Sequence, residues 1–150
     1  MSDTVRQQII SALDTRLKGI LKTSGYATDV GQNVFDWRTE ILPEDLLPAL
    51  IYRDISCETE ITGMDVFTNR LRVQIEIAAT GSTPMADIRS MLADIDKAIG
   101  VDLSWGNLAI LTERISDEAI VATEENKFSG CQTVIVITFR TRGWDDYTKI

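Results

Sequence analysis

The sequence predicts an α+β fold, in which a mixed, mainly antiparallel β-sheet of four or more strands is flanked by two main α-helices. The segment Arg70–Ala79 alternates apolar and polar residues, which is the period of a half-buried β-strand. A helix follows a short Gly-containing turn, because apolar residues recur at steps of three and four from Met85 to Ile99. The strand and this helix are expected to bury one face each against a common core.

Size and composition indicate one domain covering residues 1–150. The formal net charge is −8, and the basic residues are scattered, so the electrostatic footprint of a nucleic-acid-binding protein is missing. The N-terminus lacks the basic start and apolar centre of a secretion signal, and no apolar run is long enough to span a bilayer. Cys57 and Cys131 are expected to be reduced, partly buried thiols.

The first third of the chain begins with a helix from Thr4 to about Leu21, where Thr4 and Gln7 fit a capping box. A short strand is predicted over Asn33–Trp37, and a short helical turn at Leu46-Leu47. The run Ala49–Tyr52 reads as a buried strand. Residues 54–69 are polar with a small apolar island, which fits either a ribbon extension or a mobile loop leading into the central strand.

The central helix has clear boundary signals. Thr83 is expected to be its N-cap, Pro84 its first residue and Gly100 its C-cap. Further strands are predicted at Leu108–Ile115 and Ala119–Ala122, interrupted by residues 116–118. A polar turn over Glu124–Gly130 leads to the last strand, Gln132–Arg142.

The last strand is apolar on both faces, because Val134 and Val136 point one way while Ile135, Ile137 and Phe139 point the other. If both helices lie on one face, the second face needs a different cover. That cover is either the ribbon at residues 54–69 or a neighbouring subunit, so oligomerisation is a hypothesis from the residues alone.

The tail, residues 143–150, carries Trp144 and Tyr147 beyond the last strand. Large aromatic rings at a terminus usually contact something, since Trp and Tyr are enriched in interfaces. These two rings either bind a partner or fold back on their own subunit.

The residues form no catalytic constellation. Histidine is absent, which removes the commonest general base, and no phosphate-binding loop, nucleophile elbow or dinucleotide fingerprint occurs. Acidic pairs such as Asp94/Asp96 are expected to be solvated, and Arg70 and Arg72 to form cross-strand ion pairs with Glu58, Glu60 or Glu76 rather than an anion site. The expectation is therefore a protein that is not an enzyme, with no metal site and no cofactor.

The order of elements resembles the tail terminator family of long-tailed phages, the minor tail protein U-like proteins also found in prophages. The resemblance extends over nearly the whole chain. It rests on four stretches: the opening helix Arg6–Leu17, the segment Leu46–Tyr52, the strand and helix Arg70–Ile99, and the closing strand Thr133–Arg142.

The resemblance implies a structural virion protein, assembled in the host cytoplasm, that forms a ring, commonly a hexamer, at the head-proximal end of the tail tube. Such a ring stops tube polymerisation and offers the surface for head joining, so its partners are the tube protein and a head-completion or neck protein. DNA passes through without specific binding. Six copies at −8 each would carry a formal charge of about −48, which disfavours DNA adhering to the channel wall.

Seven residues are candidates for contacts with other subunits or with the tube. Val66 and Phe67 in the ribbon and Trp144 and Tyr147 in the tail are chosen by composition, and the polar side of the central strand adds a second group, Arg72, Gln74 and Glu76. Two alternatives stay open. One is a neck or head-completion protein that binds the connector, and the other is a small-molecule-binding regulatory α+β domain whose pocket lies against the second face of the last strand.

Overall fold

The protein is an α+β fold in which a mixed, mostly antiparallel sheet carries two α-helices, as the sequence predicts. The computed structural model describes residues 3–120 and 128–150. In that part of the chain the elements are α1 Val5–Lys18, β1 Val34–Asp36, β2 Ala49–Gly63, β3 Val66–Thr80, α2 Met85–Gly100, β4 Leu111–Ile120, β5 Phe128–Arg142 and β6 Asp145–Lys149. Short 3₁₀ turns lie at Lys22–Ser24, Val30–Gln32 and Glu44–Leu46.

The strands lie in the spatial order β1-β2-β3-β5-β4, and β6 pairs with the end of β5. Only the β1–β2 pairing among the described strands is parallel. The long strands β3 and β5 pair in continuous register, with Val73 opposite Ile135 and Ile77 opposite Cys131. They form the centre of the sheet. Alternate residues of β3 belong to the buried cluster, so apolar and polar residues alternate regularly from Arg70 to Ala79.

Both helices pack on the same face of the sheet. The apolar residues of α1, including Ile9, Leu13 and Leu17, share one buried cluster with the residues of α2 and with alternate residues of β3. The β3 members are Leu71, Val73, Ile75, Ile77 and Ala79. Because these strand residues lie on every second position, the polar residues between them point to the opposite face.

The opposite face is covered at one end by the chain itself. Leu42 packs with Ala49 and Ile51 in a second buried cluster, to which Leu46 and Leu47 also contribute. The predicted ribbon is present, but it extends the sheet in its own plane as the outer halves of β2 and β3 and does not cover this face. Val136 is nevertheless buried, because its cross-strand neighbours Arg72 and Glu113 carry long side chains.

The helix ends differ from the predicted ones by a few residues. Thr4 caps α1 by accepting the Gln7 backbone N–H (3.0 Å), but the Gln7 side chain donates to Ser11, so only half of the capping box forms, and the helix ends at Lys18. Pro84 and not Thr83 is the N-cap of α2, because the Thr83 hydroxyl pairs with Thr80. Gly100 is the last helical residue, followed by Val101 at the C-cap.

The later strands are longer than predicted. β4 runs through residues 116–118 without a break, since a bulge between Arg114 and Ser116 accommodates the polar residues. The strand predicted to reach Ala122 is seen to Ile120, and residues 121 and 122 lie outside the described part. Of the predicted turn Glu124–Gly130, residues 124–127 also lie outside it, while 128–130 belong to β5.

The exposure of three residues differs from what the sequence predicts. Met85 was predicted within the apolar stripe of α2, but it lies in the first turn and is exposed. Asp94, expected on the solvent side, is buried because its carboxylate accepts the backbone N–H groups of Ala27 (3.1 Å) and Thr28 (2.8 Å). Trp105, next to Gly106, is expected from the sequence in a loop without a partner; it lies in a loop, yet the residue is only 2% exposed.

Candidate interaction surface

An exposed apolar surface lies at the outer end of the sheet, where two hairpin turns meet. The first is the turn Met64-Asp65 between β2 and β3, which follows a register shift between Ile61 and Gly63. Met64 is fully exposed, and Ile61, which pairs across the ribbon with Phe67, is 68% exposed. Apolar side chains held in solvent at the end of a paired ribbon make this end of the sheet a candidate contact surface.

The second turn, Gly143-Trp144 between β5 and β6, is held against the first. The Gly143 N–H donates to the backbone carbonyl of Asp65 (2.8 Å), and Arg142 Nε lies 3.1 Å from a carboxylate oxygen of Asp65. A Cβ added at Gly143 would lie 3.2 Å from Asp65 Oδ1, so the two turns approach this closely because residue 143 has no side chain. Trp144 has a positive φ of 61°.

Phe67 and Trp144, two of the sequence candidates, are in contact. Their ring centroids are 5.2 Å apart at an interplanar angle of 70°, an edge-to-face arrangement, while the Trp144 residue remains 90% exposed. The tail therefore folds back on its own subunit and still presents an aromatic ring to solvent. We name Ile61, Met64, Phe67 and Trp144 the apolar tip.

The other candidates lie beside the apolar tip or away from it. Val66 is half-buried next to the turn, and Tyr147 is 48% exposed on β6. Arg72, Gln74 and Glu76 lie on the opposite, helix-free face near the middle of the sheet. The structure thus separates the seven residues into two surfaces of different chemistry.

The polar row on the helix-free face is partly engaged within the chain. Glu76 pairs with Arg53 (2.8 Å), and Gln74 donates to the side chain of Gln132. Arg72 has no ion pair or hydrogen bond through its side chain within residues 3–120 and 128–150. Arg70 pairs with Glu113 across β5 (3.8 Å) and not with Glu58, Glu60 or Glu76 as expected, although Glu58 lies directly opposite Arg70 on β2.

The apolar tip is connected to the body of the protein by polar side chains across three strands. The Thr59 hydroxyl donates to the side-chain oxygen Oδ1 of Asn69 (2.8 Å), and Asn69 Nδ2 donates in turn to the Thr141 hydroxyl (3.2 Å). Nearer the helices, Arg6 of α1 donates two hydrogen bonds to one carboxylate oxygen of Asp54 (2.8 and 2.6 Å). The first two hydrogen bonds join β2, β3 and β5 side by side, and the Arg6–Asp54 pair connects β2 to α1.

The Asp54 carboxylate is favoured in its charged form by the same contact. Burial alone would raise its pKa, but hydrogen bonds from Trp37 Nε1 (2.6 Å) and Arg6, together with the Arg6 charge, bring the pKa below its usual value. A lowered pKa means that the folded protein favours the charged carboxylate.

A cleft that sequence reasoning missed opens between the C-terminal end of α2 and β4. Its volume is about 300 Å³, and it is lined by Asp96, Ile99, Gly100, Leu103, Thr112, Arg114 and Ile135. Burial raises the pKa of the Asp96 carboxyl, while the Arg114 charge (Nε to Oδ1, 3.4 Å) opposes that rise. The sequence held no signal for it, because the lining residues come from four separate segments.

The residues that the structure describes offer little for catalysis. Among them, no three His, Cys, Asp or Glu side chains come together in a way that would hold a metal ion. Both cysteines are free, and burial raises the pKa of each thiol. None of the described helices is long and apolar enough to cross a membrane.

A scan against protein-family models found no match for this chain, and a search of curated proteins found none either.

Proposed function

We propose that this chain is a structural subunit of a phage tail, which forms a ring at the head-proximal end of the tail tube, stops tube polymerisation and offers the surface for head joining. The resemblance in the order of elements suggests this role. The observation that carries it is the apolar tip, where hydrogen-bonded turns keep Trp144 and Met64 in solvent. A surface of this kind is typical of a protein that binds another protein.

Ending a polymer requires two unlike surfaces on one subunit. One must complement the last tube ring, and the other must fail to offer the next tube subunit a docking surface. The helix-free face and the helix-covered face of this sheet differ in the required way, since one exposes the polar row around Arg72 and the other is closed by α1 and α2. This asymmetry supports a directional role in assembly.

The proposed partners are a second copy of the chain, the tail tube protein and a head-completion or neck protein. No catalytic step is needed to stop growth, so the function requires neither a cofactor nor an active site. The net charge of −8 per chain suits a ring through which DNA passes without specific binding.

Electron microscopy of the purified protein, alone and mixed with tail tubes, tests this function. Rings of uniform diameter at tube ends, and tubes that no longer lengthen when tube protein is added, are the expected result. Protein that ignores tubes but binds DNA-filled heads would instead indicate the neck protein role. Protein that ignores both would exclude the proposed function.

A further inference from the structure

The cleft between α2 and β4 has the features of a site for one aromatic side chain. Its floor is buried and mainly apolar, formed by Ile99, Thr112 and Ile135, and its rim carries the exposed side chains Asp96, Leu103 and Arg114. Its volume of about 300 Å³ lies at the lower end of the range of ligand pockets, about 300–1,000 Å³. A single bicyclic ring suits this size better than a large ligand.

The rim chemistry matches an indole ring. A Trp side chain has an N–H group that needs an acceptor when buried, and a π face that attracts a guanidinium. The Asp96 carboxylate and the Arg114 guanidinium lie side by side at the rim, with Nε and Oδ1 3.4 Å apart. The Arg114 guanidinium also contacts Asp117, so its position is held from two sides.

The apolar tip presents such an indole. Trp144 is 90% exposed, and its position is set by the edge-to-face contact with Phe67 and by the hydrogen bond from Gly143 to Asp65. An aromatic ring that is held in place before binding loses little conformational entropy when it enters a pocket. Trp and Arg are also the residues that most often dominate the binding energy of interfaces.

The Trp144 ring and the cleft of one chain do not meet. Ile135 in the cleft floor and Arg142 at the end of β5 belong to the same strand, and the seven steps from one to the other span roughly 23 Å at a rise of about 3.3 Å per residue. Trp144 lies beyond Arg142, in contact with Phe67 at the outer end of the sheet. A Trp144 ring that enters the cleft must therefore come from another molecule.

We propose that Trp144 of one copy inserts into the α2–β4 cleft of a second copy. Each copy then uses its tip for one neighbour and its cleft for the other, so the contact is head-to-tail and generates a ring when the rotation closes. This inference rests on the proposed ring assembly and assigns the residues that form it. Met64 and Leu103 lie at the edges of the contact.

Two complementary variants test the contact. Trp144→Ala removes the inserted ring and leaves the cleft intact, while Gly100→Phe adds a large side chain to the cleft lining and leaves the tip intact. An added Cβ at Gly100 meets no atom within 4 Å, so the larger side chain does not clash at its base. Leu103→Asp is a second cleft variant, and Ile41→Ala, which removes an exposed apolar side chain elsewhere, is the matched control.

Sedimentation velocity at micromolar concentration gives the readout, with thermal melting as the check on folding. Wild type and Ile41→Ala should assemble alike, and Trp144→Ala, Gly100→Phe and Leu103→Asp should each raise the dissociation constant at least tenfold. An equimolar mixture of Trp144→Ala and Gly100→Phe has one intact tip and one intact cleft per pair. It should form heterodimers and nothing larger.

A monomeric wild type, or tip and cleft variants that assemble like wild type, would overturn the contact. A failure of the proposed function can be distinguished from a failure of this contact. Protein that caps tubes and is unaffected by these variants would keep the function and lose the contact. Rings that depend on Trp144 and the cleft but ignore tubes would keep the contact and lose the function.

Discussion

The guanidinium of Arg16 lies 3.9 Å from the centre of the Trp105 ring and donates hydrogen bonds to the carbonyl oxygens of Ile99 (3.0 Å) and Asp102 (2.7 Å). One side chain of α1 thus holds the end of α2 and the following loop. Burial lowers the pKa of this arginine, and the Asp102 charge opposes that effect.

Removing this contact should destabilise the whole fold. Arg16→Ala leaves two carbonyl oxygens without their donor and uncovers the Trp105 ring, so we expect a loss of about 2 kcal/mol in the free energy of unfolding. Arg16→Lys keeps the charge but loses the planar guanidinium group, so its free energy of unfolding should lie between those of wild type and Arg16→Ala. Urea unfolding measures all three proteins, and an alanine variant as stable as wild type would contradict the expectation.

The Asp102 carboxylate predicts a pH dependence at low pH. It accepts hydrogen bonds from the Ser104 hydroxyl (2.6 Å), the Gly106 N–H (2.7 Å) and the Ser104 N–H (2.9 Å), which lower its pKa from 3.8 to about 2. A pKa that is lower in the folded state contributes stability above pH 3.8 and loses it as the pH falls toward 2.

The variant Asp102→Asn isolates this effect. Its melting temperature should be below that of wild type at neutral pH, and the difference should shrink between pH 4 and pH 2. A difference that stays constant over this interval would show that the carboxylate charge does not contribute.

The approach of α1 to the turn Val30–Gln32 depends on Gly31. A Cβ at this position would lie 2.4 Å from the Leu17 carbonyl oxygen and 2.8 Å from the Ile20 nitrogen, which are backbone atoms that cannot move aside cheaply. Gly31→Ala should therefore cost about 2 kcal/mol or more. Gly100→Ala is the control, since the space around Gly100 is open and alanine favours a helix by roughly 0.5–1 kcal/mol. In thermal unfolding, the melting temperature of Gly31→Ala should be lower than that of wild type, and the melting temperature of Gly100→Ala should be higher.

The contact between the two hairpin turns can be loosened without touching the core. Gly143→Ala places a Cβ 3.2 Å from Asp65 Oδ1 and 3.3 Å from the Asp65 carbonyl carbon, so the turns must move apart by a few tenths of an ångström. We expect a clear loss of assembly in sedimentation and a change in unfolding free energy of less than about 0.5 kcal/mol. Gly63→Ala, whose Cβ meets only the Val66 side chain at 3.8 Å, is the matched control in the same ribbon.

Local patterns predicted the elements well, because each pattern reports which face of a segment is buried. The spacing from Ile88 to Ile99 predicted the central helix nearly to the residue, and the alternation from Leu71 to Ile77 predicted the central strand from Arg70, although β3 begins four residues earlier, at Val66. Predictions of where a strand is interrupted were less accurate. Residues 116–118 look like a turn by composition, but pairing with β5 and a bulge keep them in the strand.

Two of the four residues of the apolar tip, Phe67 and Trp144, were among the sequence candidates, whereas Ile61, Met64 and the arrangement of the tip were not predicted. Phe67 and Trp144 could be chosen because large apolar residues in polar segments suggest a contact, yet nothing in the sequence showed that they touch. The ion pair that joins their turns connects Arg142 to Asp65, which are 77 residues apart. The α2–β4 cleft was missed for the same reason, since it exists only after distant segments have packed.

The position of β5 in the middle of the sheet also determines when the apolar tip can form. The β2–β3 hairpin is local in sequence, but α2 and β4 separate it from β5 along the chain. Non-local pairings of this kind form late. We therefore expect the Gly143 hydrogen bond to Asp65 to form near the end of folding. We expect incompletely folded chains to lack the Trp144 surface, so that only completely folded chains can assemble.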